Sequence, residues 1–209
     1  MSKKIFVWTA HPSNESLCAA LADAYASAAR AAGATVRTQN LEDMAFDASG
    51  FPDKKAEVEP DLALWRENIL WADHILVVHP YWWGAMPGRA KAVLDRALTS
   101  GFGYKYHSRG LGWDKLLTGR TGDAIITSDT PPIIDTLIYR SPGRRVIRNQ
   151  VFAFCGIKPR AIVQMGPVKT ASEDRIAGYL KRAADLGTKA AKHPHSTAKL
   201  IQATASAAG

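Results

Sequence analysis

IFVWTAHPSNESLCAALADAYASAARAAG, residues 5–33, holds the pattern on which the rest of the chain is built. Residues 5–9 are an apolar run without alternation, as a strand buried on both faces requires. From Ser16, apolar residues return at Leu17, Leu21, Ala24, Ala28 and Ala32, the stripe of a helix that Gly33 stops. A polar loop joins the two. The same unit recurs, with strands expected at 35–39, 74–79, 123–127 and 161–165. Helices are expected at 62–72, from Pro87 along Ala90, Val93, Leu94, Ala97 and Leu98, at 143–154, and at 172–192. Residues 41–60 read as loop, punctuated by Gly50, Pro52 and Pro60. Residues 101–120 are an excursion rich in glycine and aromatics. Five strand–helix alternations imply an α/β domain over residues 1–192, a parallel sheet with helices on both faces. Residues 193–209, rich in Ala, Ser and Thr without periodicity, read as a tail.

The 209 residues suit one domain, at about 150 residues per domain. A hydrophobic content of 46% with 22% charged residues excludes a disordered, collagenous or coiled-coil chain. Cys18 and Cys155 are too few for a disulfide framework or a four-cysteine zinc site. No stretch approaches ~18 uncharged apolar residues, so no membrane insertion is expected. The N-terminus turns polar at His11, too soon for a signal peptide, which points to the cytoplasm. Lys and Arg (27) outnumber Asp and Glu (19), and the formal charge of +8 steers anionic partners in a salt-dependent way.

In a doubly covered parallel sheet, ligands bind beyond the carboxyl ends of the strands, where strand order switches. Three loops therefore matter: 10–16, 80–87 and 127–132. The first, Thr9-Ala10-His11-Pro12-Ser13-Asn14-Glu15-Ser16, has neither a Walker Gly-Lys-Ser/Thr nor a glycine-rich dinucleotide turn. Its hydroxyl and amide side chains stand at a helix N-terminus, where free N–H groups and the dipole favour an anion; an ordinary helix cap accounts for them too. The second, His79-Pro80-Tyr81-Trp82-Trp83-Gly84-Ala85-Met86-Pro87, sets three aromatics in a row at a strand end. They can wall a flat ring or form a core or interface cluster. The third, Thr127-Ser128-Asp129-Thr130-Pro131-Pro132, fits a polar binding edge or a plain turn. Together the three suit one ligand with an anionic tail and a flat ring.

Other candidates read as structural. His74 opens a strand, His193 and His195 lack acidic or cysteine companions for a metal, and Cys155 is a small buried hydrophobe. Arg140, Arg144, Arg145 and Arg148 read as a solvated helix face, with no motif that would make them a nucleic-acid reader.

The order of these motifs resembles the flavodoxin-like NAD(P)H:quinone oxidoreductase family over residues 3–192. The resemblance rests on Ala10-His11 with Ser16-Leu17, on Pro80, Trp83 and Pro87 followed by Lys91 and Asp95-Arg96, on Phe102-Gly103-Tyr104-Lys105-Tyr106, and on Phe154-Cys155-Gly156. It implies a flavodoxin-like fold with a five-stranded parallel sheet, a tightly held flavin, and a homodimer with its active site at the subunit boundary. Carried over by position, His11, Ser16, Leu17 and Cys18 would face the flavin's phosphate and ribityl chain. Tyr81, Trp82, Trp83, Gly84, Thr127 and Ser128 would contact the isoalloxazine, and Pro80 and Asp129 would also bind the cofactor. Tyr104, Tyr106 and Phe154 would reach from the partner subunit to cap the substrate. The chain departs from the family at Thr127-Ser128-Asp129-Thr130, where members have Thr-Thr-Gly-Gly, and it has no convincing counterpart of the Tyr and His that neutralise reduced flavin. Arg175 matches a residue that contacts the adenosine half in members using FAD; chain length and the altered loop favour FMN. The activity implied is a ping-pong, two-electron reduction of quinones or similar flat acceptors by NAD(P)H. Alternatives are a regulatory flavoprotein subunit of a membrane transporter and a flavodoxin-type electron carrier.

Overall fold

The computed structural model describes residues 2–49 and 57–194. Gly50 and Pro52, and the expected tail from residue 195 onward with His195, lie outside them. In chain order the elements are β1 (Lys4–Thr9), α1 (Leu17–Ala31), β2 (Thr35–Asn40), α2 (Pro60–Trp71), β3 (His74–Pro80), α3 (Gly88–Ala97), β4 (Tyr104–Tyr106), β5 (Trp113–Lys115), β6 (Thr121–Thr127), α4 (Pro132–Leu137), α5 (Pro142–Arg145), β7 (Lys158–Met165) and α6 (Glu173–Lys192). The main sheet has the order β2-β1-β3-β6-β7, with every pairing parallel. This is a doubly wound, flavodoxin-like fold whose strand order switches between β1 and β3.

Period-two alternation sorts the core into two layers. Phe6 and Trp8, Ile75 and Val77, and Ala124 face α2, α3 and the segment after α5. Trp65 of α2 meets Phe6 and Trp8 edge to face, with centroids 6.4 and 5.4 Å apart. Ile5 and Val7, Leu76 and Val78, and Ile125 face α1 and α6 on the other side. There Gly187 lets α6 approach α1 closely, because a Cβ at that position would overlap the Tyr25 carbonyl. Ser16 caps α1 by accepting from Ala19 N (3.2 Å), and Ser172 caps α6 by accepting from Arg175 N (3.3 Å).

Four details differ from the sequence reading. Pro60 is the first residue of α2, where its missing N–H is harmless, rather than a loop residue. The 101–120 excursion contains the antiparallel pair β4–β5. Pro131 and Pro132 start a short helix, α4, instead of a plain turn. The helix expected at 143–154 begins as α5 and then widens into a π-helix over Val146–Ala153, whose following N–H, that of Phe154, reaches back to Asn149.

At the amino end of the sheet, polar groups saturate one another. The Tyr25 hydroxyl donates to Asp123 Oδ2 (3.0 Å) and lies 2.9 Å from His74 Nε2, which is 3.3 Å from the same carboxylate oxygen. His74 Nδ1 pairs with Thr121 Oγ1 at 2.7 Å, and Asp123 Oδ1 accepts from Ala161 N at 2.8 Å. Burial pushes the Asp123 carboxyl up, but the hydrogen bonds from His74, Ala161 N–H and Tyr25 outweigh it and hold it below its ordinary value. Among the described residues, no helix is long and apolar enough to cross a membrane.

Candidate functional site

Parallel pairing of β1, β3 and β6 brings their carboxyl-end loops together. Tyr81 N donates to Thr127 O (2.7 Å), Ala10 N to Val78 O (2.7 Å), and Cys18 Sγ lies 3.3 Å from Thr127 Oγ1. The His11 ring stands edge to face on Trp82 at 5.9 Å. The result is a cleft of about 230 Å3 lined by His11, Ser16, Leu17 and Cys18 from the first loop and helix start. Pro80, Tyr81 and Trp82 line it from the second loop, and Thr127, Ser128 and Asp129 from the third. Ten of the twelve expected flavin contacts therefore share one cleft.

Trp83 and Gly84 do not line it. They are the central residues of a two-residue turn in which Trp82 and Ala85 exchange N–H···O bonds of 2.8 and 3.0 Å. Both have positive φ, 50° and 80°, a pattern that favours Asn-Gly and is strained for a bulky residue. The turn carries the Trp83 indole fully into solvent, next in the chain to Trp82, which lines the cleft.

The first turn of α1 leaves the N–H groups of Leu17 and Cys18 without intrahelical acceptors, as an anion site requires. His11 Nδ1 lies 2.9 Å from Ser13 O and 3.0 Å from Ser13 N, so the loop closes on the ring through that nitrogen. Burial pushes the Cys18 thiol up to about 11, so this cysteine is protonated at neutral pH and cannot serve as a nucleophile. The third loop is braced from outside: Ser128 donates to Thr130 O (2.7 Å), accepts from Gln164 Nε2 (2.8 Å), and its N–H reaches Met165 O (3.0 Å). Lys169 N donates to Asp129 Oδ1 at 2.8 Å.

The sequence reading omits three contributors. Val168 lines the cleft from the β7–α6 loop; the strand-end rule, extended to the fifth strand, would have found it. Gln164 braces Ser128. Asp135, buried in α4, accepts from the Tyr81 hydroxyl (3.1 Å) and from Arg144 (3.2 Å), which fixes the Tyr81 ring against the cleft. No composition signal marks Asp135.

Tyr104, Tyr106 and Phe154 also come together, but apart from the cleft. Tyr104 meets Tyr106 and Phe154 edge to face at 5.1 and 5.0 Å, and Phe154 stacks on Trp113 at 4.7 Å. Tyr104 and Phe154 border a second cavity of about 570 Å3 between α3 and the π-helix. The two cavities share no lining residue, and within one chain the aromatic trio does not reach the cleft. Arg144 is tied to Asp135, Thr136 and Ser141, whereas Arg140, Arg145 and Arg148 are exposed.

Strand order, cleft position and loop bracing define a flavodoxin-like protein. Residues 3–186 match the Flavodoxin_2 family, a flavodoxin-like fold, and the chain belongs to that family. It is similar to an uncharacterised NAD(P)H oxidoreductase of Haemophilus influenzae, 32% identical over 104 residues, which are 48% of this chain and 50% of that one. The aligned region spans about half the length of the curated relatives it matches. An NAD(P)H:quinone oxidoreductase from Methanothermobacter marburgensis superimposes with a TM-score of 0.77 at 21% identity, covering 90% of this chain and 98% of that one. An FMN-dependent NADH-azoreductase from Bacillus anthracis, solved with FMN, gives 0.70 at 17% identity, covering 92% and 100%.

Proposed function

We propose that this chain is a flavin-dependent NAD(P)H oxidoreductase of the cytoplasm that binds FMN and reduces quinones or similar flat acceptors. The observation that carries this reading is the single cleft at the carboxyl ends of β1, β3 and β6, with a helix N-terminus at one end and aromatic rings at the other. The relatives' names, NAD(P)H oxidoreductase, quinone oxidoreductase and FMN-dependent azoreductase, support it. When bound, the flavin supplies hydride transfer from NAD(P)H and two-electron delivery to the acceptor. The chain's own part is to hold and orient. The α1 N-terminus and His11 would take the phosphate, Tyr81 and Trp82 would bound the ring, and Thr127, Ser128 and Asp129 would meet its polar edge. Trp83, next in the chain to Trp82, would close over an occupant.

Tyr104, Tyr106 and Phe154 would cap the acceptor of a second copy in a homodimer. Exposed Tyr106 and Leu111, with Ile133, Leu137 and Ile138 of the α4 region, support an apolar surface between copies. Heating the purified protein and weighing the released chromophore tests the reading: FMN, about one per chain, is expected. A colourless protein that takes up neither FMN nor FAD would end it. Parallel double-reciprocal plots of NAD(P)H and menadione test the ping-pong order. A mixed dimer of Tyr104→Ala and Trp82→Ala chains tests the shared site; recovery of about one working site of two is expected.

A further inference from the structure

One residue lining the cavity between α3 and the π-helix has a ring nitrogen without a partner among the described residues. It is His79, the penultimate residue of β3, 1% exposed. Nδ1 lies 2.8 Å from Pro80 O; a carbonyl only accepts, so the proton sits on Nδ1. Burial holds the ring well below its ordinary value, at about 4, so at neutral pH it carries no second proton. Nε2 is then a bare acceptor, and among the described residues it has no hydrogen-bond partner. A buried acceptor without a donor is costly and calls for an occupant that supplies one.

The surroundings limit what the occupant is. Met86, Leu94, Leu98, Ile147 and Val151 make the walls mostly apolar, and Tyr104 adds an aromatic face. At about 570 Å3, the space is within the usual range for small-molecule sites. We propose that this cavity is a second ligand site that takes a flat aromatic bearing a hydroxyl, a phenol, naphthol or hydroquinone, which donates to His79 Nε2. A quinone carbonyl would set lone pair against lone pair, so the site selects the reduced form of such a compound over the oxidised one. The inference stands whether or not the cleft across β3 holds a flavin, because the two share no lining residue.

The test uses the purified full chain, as isolated, with 13C on the methionine methyls. Met86 lines the cavity; Met44 and Met165 lie elsewhere in the core. Titration with 2-naphthol should shift the Met86 methyl saturably and leave Met44 and Met165 in place. 2-Methoxynaphthalene, equal in its rings but without the donor, should bind about tenfold more weakly. His79→Phe should bring the two compounds to equal affinity, and Gln150→Trp, from the exposed rim of the opposite wall, should abolish binding with His79 intact. An unmoved Met86, as a second copy sealing the cavity would give, overturns the proposal. Equal affinities in the unaltered chain, or discrimination that survives His79→Phe, overturn it too.

Discussion

Strand β3 carries two buried histidines five residues apart, and the structure treats them in opposite ways. His74, at the amino end, has both ring nitrogens engaged, by Thr121 on one side and by Tyr25 and Asp123 on the other. His79, at the carboxyl end, is buried as deeply and has one nitrogen engaged. An odd spacing on a strand puts them on opposite faces, so they meet different helices. The residues at the closed edge satisfy one another. Those at the open edge leave acceptors, N–H groups and an indole unfilled, and that is where a fold keeps its binding capacity.

The comparison can be broken at the closed edge first. Asp123→Ala strips partners from His74, Tyr25 and Ala161 N–H at once, and should cost about 3–5 kcal/mol in urea unfolding, the usual loss when a buried network loses its charge. The Asp123 contribution is present above the unfolded carboxyl value near ~3.9 and is lost as pH falls through its lower folded value. A protein equally stable after the substitution would mean that the network is ornamental.

The open edge should show itself by pH next. An unfolded histidine takes its proton near 6.5 and His79 only at about 4, so between these values the unfolded chain holds more protons. Stability should therefore fall by about 3 kcal/mol as pH drops from ~6.5 to ~4, and His79→Phe should flatten that slope. Persistence of the slope in the variant would locate its source elsewhere.

Smaller effects separate Trp82 from Trp83. Trp82→Ala should weaken FMN binding by ~1–3 kcal/mol in a fluorescence titration, through lost ring contact. Trp83→Asn supplies the residue that its left-handed turn favours, and should raise stability by ~1 kcal/mol in thermal unfolding while loosening FMN. A Trp83→Asn chain less stable than the parent would show that the indole packs in solution.

Much of this was legible beforehand. The apolar runs at 5–9 and 74–79 and the stripe after Ser16 specify strands and a helix by period alone, and strand-end geometry then nominates the three loops. The register of tertiary contacts was not legible. Tyr81, Trp82 and Trp83 look equivalent in sequence, yet a two-residue turn with positive φ at Trp83 and Gly84 separates their directions. Asp135 gains its role only because α4 folds back onto Tyr81. His79 read as the last residue of a strand, since nothing local states which nitrogen will find a partner. The apolar positions Ile147 and Val151 suit an α-helix as well as the wider coil they occupy.

That wider coil has a consequence for chain length. Each π turn accommodates one residue more than an α turn between the same endpoints. Deleting one residue from the exposed side of Val146–Ala153, such as Asn149, should let the segment relax to α geometry without shortening its span by a full turn. The residues beyond would keep their direction, with Phe154 still on Trp113 and Cys155 still on the cavity wall. The same deletion in a regular α-helix would turn everything beyond it by about 100°, the angle one residue subtends. The wide coil therefore absorbs a change in chain length that an ordinary helix would pass on, and relatives one residue shorter here should aim the same rings the same way.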